Sequence, residues 1–377
     1  MVDIWRRIRV LHRLGYALQL VCWTPEPSDS KTRAVLEAHC EELIQLPRKQ
    51  SKLLLLKILI SCSRYPLYPA AFQPRTDLNR LQKMVERFRP NLIWLENYTP
   101  ALPAMHLSQA LGLPLYYRSH NVEYMYARAI TTSMGSMSLR QRLIRYLVER
   151  DLDRFERKLL KHAHKVYDIS RDDRIFWKSE LPNLPITWLP PMIDETITIP
   201  QRGKTIDFLF IGNLFTANNI EALHWLIESV MPQVRNSLPH ARLLVAGSNP
   251  EDSFLSYLSG CDGVDLLRDF PSQEELLACS RVVVNPALRG SGITIKTVDA
   301  LYSGTPWVGT TQAVRGLPEP LRRLLHPTDD AHLFAARMVS LYHTPENYPS
   351  KEILEYCIEY FHALPVRILS QLPETLQ

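Results

Sequence analysis

The chain has 377 residues, of which 46% are hydrophobic and 22% are charged, and its formal net charge at pH 7 is +5. This length accommodates two domains with separate cores. The mildly basic balance suits an anionic substrate or a membrane surface and gives no reason to expect a nucleic-acid partner. The scattered cysteines form no CxxC pair, which argues against a cysteine zinc site and indicates reduced thiols in the cytoplasm.

Membrane spans and signal peptides are not predicted. The strongest apolar stretch, LLLLKILI at residues 53–60, is too short to span a bilayer and contains Lys57. The first residues, MVDIWRRIRV, carry charges where a signal peptide needs an apolar core. These features predict a cytoplasmic protein, with peripheral contact at the inner face of the membrane left open.

The first half alternates helical and strand patterns. Helices are predicted at residues 5–15, 30–42, 51–62, 77–90, 100–112 and 171–181, and strands at residues 17–23, 43–47, 91–97, 113–121, 165–170 and 186–191. The proline-rich stretch 66–74 is expected to be irregular, and residues 124–164 to be mostly helical. Residues 192–207 are polar without an apolar period, which is typical of an interdomain linker.

The second half repeats the alternation more regularly. Strands are predicted at residues 207–212, 241–247, 263–267, 281–286 and 305–309, and helices at residues 219–236, 250–260, 272–280 and 293–303. Such alternation predicts right-handed βαβ units, a parallel sheet and ligands at the carboxyl ends of the strands. Both halves therefore predict an α/β fold with two doubly wound sheets facing a cleft. The helical tail, residues 351–372, is expected to pack back across the first domain.

The stretch 281–311 carries the clearest chemistry. A Gly-Ser-Gly loop at 290–292 precedes a helix, whose free backbone N–H groups and positive dipole end favour phosphate. Arg289 and Lys296 flank this point as two cations, and Asp299 offers a carboxylate for sugar hydroxyls. Alternatively, Lys296 and Asp299 form an ordinary surface ion pair and the glycines only turn the chain.

Further polar loops follow predicted strands. Gly212 and Asn213 follow the first strand of the second half, residues 247–249 and 268–269 follow two others, and His120 follows a strand of the first half. Such loops lie where a doubly wound fold binds its ligands. Gly212 could instead only permit a tight turn, and His120 could be a structural histidine.

Two basic stretches have competing interpretations. Residues 140–165 contain acidic residues among the basic ones, which favours a solvated helix over a nucleic-acid-binding surface. Residues 46–61, LPRKQSKLLLLKILIS, combine leucines and lysines as a helix lying on an anionic membrane does. A core helix of the first domain is the favoured interpretation of that stretch.

Two stretches of the second half, between Asp207 and Leu317, read DFLFIGNLFTANNIEALHWLIESVMPQVRNSLPHARLLVAGSNP and VVVNPALRGSGITIKTVDALYSGTPWVGTTQAVRGL. They resemble the donor-binding domain of the GT-B glycosyltransferases of family 4, the group 1 family. The order GSG-x-x-x-K-x-x-(D/E)-A-x-x-x-G-x-P is the specific part. The first half is similar more loosely, through LIWLEN, YRSHNVEY and KVYDISRDD.

The resemblance implies a GT-B fold of two Rossmann-like domains. The acceptor domain would span residues 1–192, the donor domain 205–345, and a helical tail at 346–377 would cross back to the first domain. It implies transfer of a hexose from a nucleotide diphosphate-sugar to a sugar or lipid-linked acceptor, usually with retention and without a bound metal or other cofactor. The implied setting is the synthesis of cell-surface polysaccharide or glycolipid.

The resemblance also implies roles for individual residues. His120 matches a histidine that faces the reacting sugar, and Arg289 and Lys296 would stabilise the leaving diphosphate, so these three are the implied catalytic residues. Asp299 matches a carboxylate that binds the ribose, although the family usually has glutamate there. The implied substrate-binding residues are Gly212, Asn213, Gly290, Ser291, Gly292, Thr294 and Asp299.

The chain departs from the family at several positions. Charged side chains that many members carry are replaced by Asn213, Asn218, Ser291 and Thr294. Their loss moves more of the diphosphate charge onto Arg289 and Lys296. The family's first strand and glycine-rich loop are expected to be absent, because the chain begins at the helix that follows them. The open alternatives are an inactive nucleotide-sugar-binding remnant and a nucleotide-sugar epimerase of the same fold, which would form product from the donor alone.

Overall fold

The computed structural model describes residues 2–24, 26, 28–47, 57–58, 60–72, 77–132, 139–193, 203–248, 250–268, 270 and 272–372. Most of the predicted helix at 51–62 and the central part of the predicted linker lie outside these residues, as do Asn249 and Asp269. The elements of the first half are α1 (Val2–Arg13), β1 (Gln19–Thr24), α2 (Ser30–Glu37), β2 (Glu42–Pro47), α3 (Leu67–Phe72), α4 (Leu78–Phe88), β3 (Ile93–Leu95), α5 (Ala101–Leu111), β4 (Leu115–Ser119), α6 (Glu123–Thr132), α7 (Leu139–Glu149), α8 (Leu152–His162), β5 (Lys165–Asp168), α9 (Arg171–Glu180) and β6 (Ile186–Trp188).

The elements of the second half are β7 (Ile206–Ile211), α10 (Ala217–Trp225), α11 (Met231–Ser237), β8 (Leu243–Ala246), α12 (Asp252–Ser259), β9 (Val264–Leu267), α13 (Gln273–Cys279), β10 (Ser280–Asn285), α14 (Ile295–Tyr302), β11 (Trp307–Gly309), α15 (Glu319–Leu325), α16 (Ala331–His343), α17 (Ser350–Ile358) and α18 (Leu364–Leu369). Two π turns, at Leu226–Val230 and Glu359–Ala363, continue α10 into α11 and α17 into α18.

The described strands form three parallel sheets. β1 pairs with β2, the strands β3, β4, β5 and β6 form a second sheet in that order, and the second half has a five-stranded sheet in the order β11-β10-β7-β8-β9. The predicted α/β fold with parallel, doubly wound sheets is confirmed. No ladder among the described strands joins the β1–β2 pair to the four-stranded sheet. The absence of the family's first strand stays a prediction.

The core of the second half lies on both faces of its central strands. Phe208, Leu209 and Phe210 follow one another in β7, and all three are fully buried. Successive side chains of a strand point to opposite faces, so a continuous apolar run requires helices on both sides of the sheet. This packing fixes the position of the loops that follow β7 and β10.

The C-terminal helices pack against the first half, as the resemblance implies. Leu369 and Leu372 join a buried cluster with Val10 and Leu189. The Tyr16 hydroxyl donates a hydrogen bond to the Leu369 carbonyl oxygen at 3.0 Å. The tail therefore holds α1 and the end of β6 together.

The prediction of irregular structure at residues 66–74 is wrong. The proline-rich stretch contains the helix α3, and the Ala70 N–H bonds the Pro66 carbonyl oxygen at 3.0 Å. Pro66 and Pro69 lie at the helix start, where N–H groups have no partner within the helix, so the missing donors cost nothing. The predicted linker stays a prediction; at its start, Met192 is buried in a cluster of the first half and Ile193 in the core of the second.

The N-terminus of α9 joins the two halves. Ser170 caps the helix by accepting a hydrogen bond from the Asp173 N–H at 3.2 Å. Asp172 accepts a hydrogen bond from the Gly316 N–H at 2.7 Å and pairs with Arg322. Asp173 also contacts the second half, through Gly292 and Arg315. Asp172 and Asp173 therefore both join the first half to the second.

Candidate functional site

The site lies where the chain leaves the central strands of the five-stranded sheet in opposite directions. From β7 the chain continues to β8 and β9 on one side, whereas β10 and β11 lie on the other. The carboxyl ends of the strands at such a switch point form the crevice in which doubly wound folds bind ligands. Gly212 follows β7 and Arg289 follows β10, so the predicted residues of the second half meet at this crevice.

The turn after β7 is tight. A Cβ atom at Gly212 would lie 3.0 Å from the Phe210 ring, and one at Gly247 would lie 2.1 Å from the Gly212 carbonyl oxygen. The Asn213 side chain accepts a hydrogen bond from the Phe215 N–H at 2.8 Å and so closes the turn. This geometry agrees with the simpler interpretation of Gly212, a residue that permits the turn, and it places both residues at the crevice.

Lys296 lies in the first turn of α14, one residue after Ile295. Its Nζ donates a hydrogen bond to Asn219 Oδ1 at 3.2 Å and lies 4.3 Å from the centroid of the Phe210 ring. Burial lowers the pKa of Lys296 from 10.5 to about 7. An anion bound at the crevice would favour the protonated amine, so the charge of Lys296 is coupled to ligand binding.

Asp299 does not pair with Lys296. It pairs with Arg6 of α1, whose Nη1 lies 2.7 Å from Asp299 Oδ1, and the Gln273 amide lies 3.4 Å from Oδ2. Both Arg6 and Asp299 are almost completely buried, and Arg6 also donates to the Met192 carbonyl oxygen at 2.8 Å. Burial raises the pKa of Asp299, and Arg6 opposes this effect. The interpretation of Lys296 and Asp299 as a mutual ion pair is therefore wrong.

Arg289 faces α10. Its Nε lies 3.2 Å from Glu221 Oε1, and about half of the arginine side chain is exposed.

Thr294 occupies the N-cap position of α14 but makes no side-chain capping hydrogen bond. The helix begins at Ile295, so the sequence-based expectation that it starts directly after Gly292 is wrong by two residues. The predicted contribution of Arg289 to phosphate binding stays a prediction.

The Gly-Ser-Gly loop at 290–292 touches the first half. Gly292 has a φ of +72°, and a Cβ atom there would lie 2.3 Å from the His120 carbonyl oxygen. The Val122 N–H donates a hydrogen bond to Ser291 Oγ at 3.2 Å. Only glycine permits this approach, because the nearest atom belongs to the backbone and cannot swing away.

Asp173 already binds the loop. The Gly292 N–H donates to Asp173 Oδ2 at 2.9 Å, and Ser291 Oγ lies 3.5 Å from the same oxygen. Arg315 pairs with the other carboxylate oxygen, and burial raises the pKa of Asp173 although Arg315 opposes it. A carboxylate of the first half thus occupies an N–H group that the sequence assigns to phosphate.

His120 follows β4, next to the end of β3. Its Nε2 lies 3.8 Å from Glu96 Oε2, and both side chains remain about one fifth exposed. Arg7 holds Glu96 through two hydrogen bonds, at 2.9 and 2.6 Å. Burial alone would raise the pKa of Glu96, but Arg7 outweighs it and lowers that pKa to about 2. His120 therefore lies beside a fixed carboxylate at the edge of the first-half sheet.

Sequence reasoning missed Arg6, Arg7 and Asp173. The first two lie with Asp3 on one buried face of α1, at spacings of three and four residues, and Arg7 pairs with Asp3 at 2.8 Å. Opposite charges at these spacings lie on one side of a helix, and this pattern could have indicated that the three side chains form buried ion pairs. Asp173 gave no signal beyond its place in the first turn of a helix.

Metal ligands do not cluster in the described part of the chain. Within it, no group of three or more histidine, cysteine, aspartate or glutamate side chains is arranged to hold a metal ion. The described helices also include none that is both long and apolar enough to cross a membrane.

Two sequence comparisons show what the chain is similar to. Residues 205–344 match the model of a family described as glycosyl transferases, group 1. A Klebsiella pneumoniae protein, described as an uncharacterized 44.6 kDa protein in the cps region, is 25% identical over 355 residues, which cover 90% of this chain and 86% of that protein.

Several solved structures share the fold. HepE of Anabaena, solved with UDP-glucose, gives a TM-score of 0.62 at 11% identity and covers 97% of this chain and 96% of HepE. A glycosyltransferase of Rickettsia africae gives 0.60 at 8% identity and covers 97% of this chain and 92% of its own. TarM of S. aureus gives 0.59 at 11% identity over 78% of this chain, which spans only 59% of TarM. The fold is therefore GT-B.

Proposed function

We propose that this chain is a glycosyltransferase that moves a sugar from a nucleotide diphosphate-sugar to an acceptor hydroxyl. The match to the group 1 glycosyltransferases covers β7 to α16, which carry Lys296, Asp299 and the loop at 290–292. HepE, which shares the fold over nearly its whole length, was solved with UDP-glucose. We place the donor at the crevice between β7 and β10.

The observation that carries the proposal is the meeting of Gly292 with His120. Loops from the carboxyl edges of the two large sheets touch there. In this proposal, a donor held by the second half would have its sugar end beside the first half. The departing diphosphate develops negative charge, and fixed cations and N–H donors stabilise such charge. Lys296 and Arg289 supply the cations in this proposal. The Gly292 N–H supplies a hydrogen-bond donor once its bond to Asp173 is broken.

The finer assignments follow the family resemblance. We propose that His120 faces the reacting sugar and that Asp299 binds the ribose hydroxyls. We also propose transfer of a hexose with retention and without a metal, in the synthesis of cell-surface polysaccharide or glycolipid. Asp299 binds Arg6 in this structure, so the nucleotide would exchange that ion pair for hydrogen bonds to the ribose.

A second candidate is a nucleotide-sugar-binding protein without turnover. It is favoured by the two contacts that fill the site from within, Asp173 on the Gly292 N–H and Arg6 on Asp299. Such a protein would use the nucleotide to separate these contacts and would have no need of an acceptor.

Turnover of a panel of nucleotide-sugars by the purified chain distinguishes these functions. A glycosyltransferase releases nucleoside diphosphate faster when an acceptor is present, and the His120→Ala variant keeps donor binding but loses turnover. Donor binding without turnover under every acceptor condition would support the binding protein. A new sugar formed from the donor alone would contradict transfer and support an epimerase.

A further inference from the structure

The carboxylate of Glu96 is held by donors on two sides. Its Oε1 accepts hydrogen bonds from Arg7 Nε at 2.9 Å and from the Trp94 indole N–H at 3.0 Å. Its Oε2 accepts one from Arg7 Nη2 at 2.6 Å. Each oxygen of an ionised carboxylate can accept two hydrogen bonds. Among the described residues, the position of Glu96 that is still open therefore lies on Oε2.

The groups behind Glu96 are buried and paired. Arg7 is fully buried and also donates to Asp3 at 2.8 Å, and Asp3 pairs with Arg118 at 3.2 Å. Two arginines and two carboxylates thus balance in charge. Burial opposes the ionisation of Glu96, but Arg7 outweighs burial and holds the pKa of Glu96 at about 2. Glu96 is therefore a fixed, negatively charged acceptor.

The side chain of His120 presents an enclosed nitrogen to this acceptor. Nε2 of His120 is shielded from solvent and has no hydrogen-bond partner among the described residues. It lies 3.8 Å from Glu96 Oε2, which is about 1 Å longer than a hydrogen bond. The exposed fifth of the His120 side chain belongs to its other atoms. An enclosed polar nitrogen without a partner is costly, so a small turn of the ring toward Glu96 is favourable.

The charge of Glu96 decides which nitrogen of His120 carries the proton. An ionised carboxylate only accepts hydrogen bonds, so a lone pair on Nε2 would face a negative oxygen and be repelled. A proton on Nε2 instead supplies the donor for the open position of Oε2. In a neutral ring the lone pair then lies on the other nitrogen, Nδ1.

We propose that Glu96 is a positioning residue, which fixes the His120 ring through a bond from Nε2–H to Oε2 and turns Nδ1 toward the transferred sugar. The inference rests on the proposed function, in which His120 faces that sugar. Nδ1 then accepts a hydrogen bond from a sugar hydroxyl, and the ring keeps its orientation because a flip would break the bond to Glu96. The competing explanation is that Glu96 only balances the charge of Arg7.

Shortening and neutralising Glu96 distinguish these two roles. Glu96→Asp keeps the negative charge beside Arg7, whose two donors hold the shorter carboxylate, so that it no longer reaches Nε2. Glu96→Gln removes the charge. Both variants should bind nucleoside diphosphate as the wild type does and lower kcat by about 10- to 100-fold, the range seen when the partner that orients a metal-binding histidine is removed. Wild-type kcat in Glu96→Asp would overturn the proposal, because charge balance would then suffice.

The matched controls are Glu42→Asp and Glu42→Gln. The Glu42 side chain is 22% exposed, close to the 23% of Glu96, and it accepts a hydrogen bond from Arg87 Nη2 at the same distance of 2.6 Å. Glu42 begins β2, which belongs to a different sheet from the strand that precedes His120. These controls should keep kcat, and a loss equal to that of the Glu96 variants would overturn the proposal. Urea unfolding of every variant shows that the folded proteins are compared.

Proton NMR observes the ring without any turnover. A ring N–H that is enclosed and bonded to a carboxylate exchanges slowly with water and gives a signal downfield of the amides, which the His120→Gln variant assigns. We expect the signal in the wild type and in Glu42→Gln, and its loss in both Glu96 variants. Its absence from the wild type, or its persistence in both Glu96 variants, would overturn the proposal. A chain with this signal but without sugar transfer would contradict the proposed function and leave the position of the ring supported.

Discussion

Replacing Gly292 by alanine should separate the two loops that meet at the candidate site. The added Cβ atom would lie 2.3 Å from the His120 carbonyl oxygen, where ordinary contact begins near 3.4 Å. The loops must therefore move apart by about 1 Å, since 3.4 minus 2.3 leaves 1.1 Å. A misplacement of about 1 Å at a reacting centre can lower turnover on the order of 10²-fold.

A second glycine separates this collision from backbone strain. Gly304 has a φ of +71°, almost the +72° of Gly292, but a Cβ atom there would meet nothing within 4 Å. Alanine in this left-handed region costs about 1–2 kcal/mol at either position. Gly304→Ala should therefore lose about that much stability and keep its turnover, while Gly292→Ala loses more stability and loses turnover.

The comparison uses urea unfolding for stability and release of nucleoside diphosphate from the donor for turnover. Titration with a nucleoside diphosphate adds a binding measurement that does not depend on knowing the acceptor. Equal stability and equal turnover of Gly292→Ala and Gly304→Ala would refute this prediction. In that case the contact with His120 would have no role in the site.

Three further predictions concern charged groups. Asp299→Asn should weaken nucleotide affinity by about tenfold, because it replaces the charged ribose acceptor by a weaker amide oxygen. Arg6→Ala should strengthen that affinity, because it frees the Asp299 carboxylate for the ribose. Calorimetric titration that finds both variants weaker would contradict this competition. Burial lowers the pKa of Lys296 to about 7, so the amine loses its proton above that pH and the affinity for nucleoside diphosphate should fall between pH 7 and 9. The affinity of the Lys296→Met variant should depend less on pH. Equal slopes for the two proteins would exclude the role of Lys296. Burial raises the pKa of Glu123 from 4.5 to about 8, so its protonated form contributes stability that is complete below about pH 4.5 and is lost as pH rises through 8. In urea unfolding, the free energy of unfolding of Glu123→Gln relative to wild type should rise by on the order of 4 kcal/mol between pH 4 and pH 9. Parallel pH curves for the two proteins would refute the assignment.

Local sequence patterns predicted most of the fold. The alternation of strands and helices in the second half is strong because each element has its own apolar period, and the loop at 290–292 with Lys296 follows a recognisable order. The helix α3 escaped prediction because two prolines in a short stretch indicate irregular structure unless their place in the first turn is known. The parallel pairing and the position of the crevice at the carboxyl ends of the strands followed from the fold class, whereas the strand order did not.

The contacts that fill the site were beyond local patterns. Arg6 and Asp299 are 293 positions apart, and Asp173 and Gly292 are 119 positions apart. No periodicity within a helix specifies a partner at such distances, since the pairing is decided by how the two halves pack. Lys296 and Asp299 are three residues apart on one helix, so local spacing suggests that they pair. They bind Asn219 and Arg6 instead, because the packing of the two halves decides their partners.

The paired carboxylates at the start of α9 also bear on how the protein unfolds. Asp172 and Asp173 hold Gly316, Gly292 and two arginines of the second half, so unfolding of either half removes the partners of these groups in the other. Such coupling merges the melting of two domains into one cooperative transition. We therefore expect a single calorimetric peak for the intact chain and two resolved peaks for the Asp172→Asn, Asp173→Asn double variant. The contacts at the start of α9 would then be what makes the two halves unfold together.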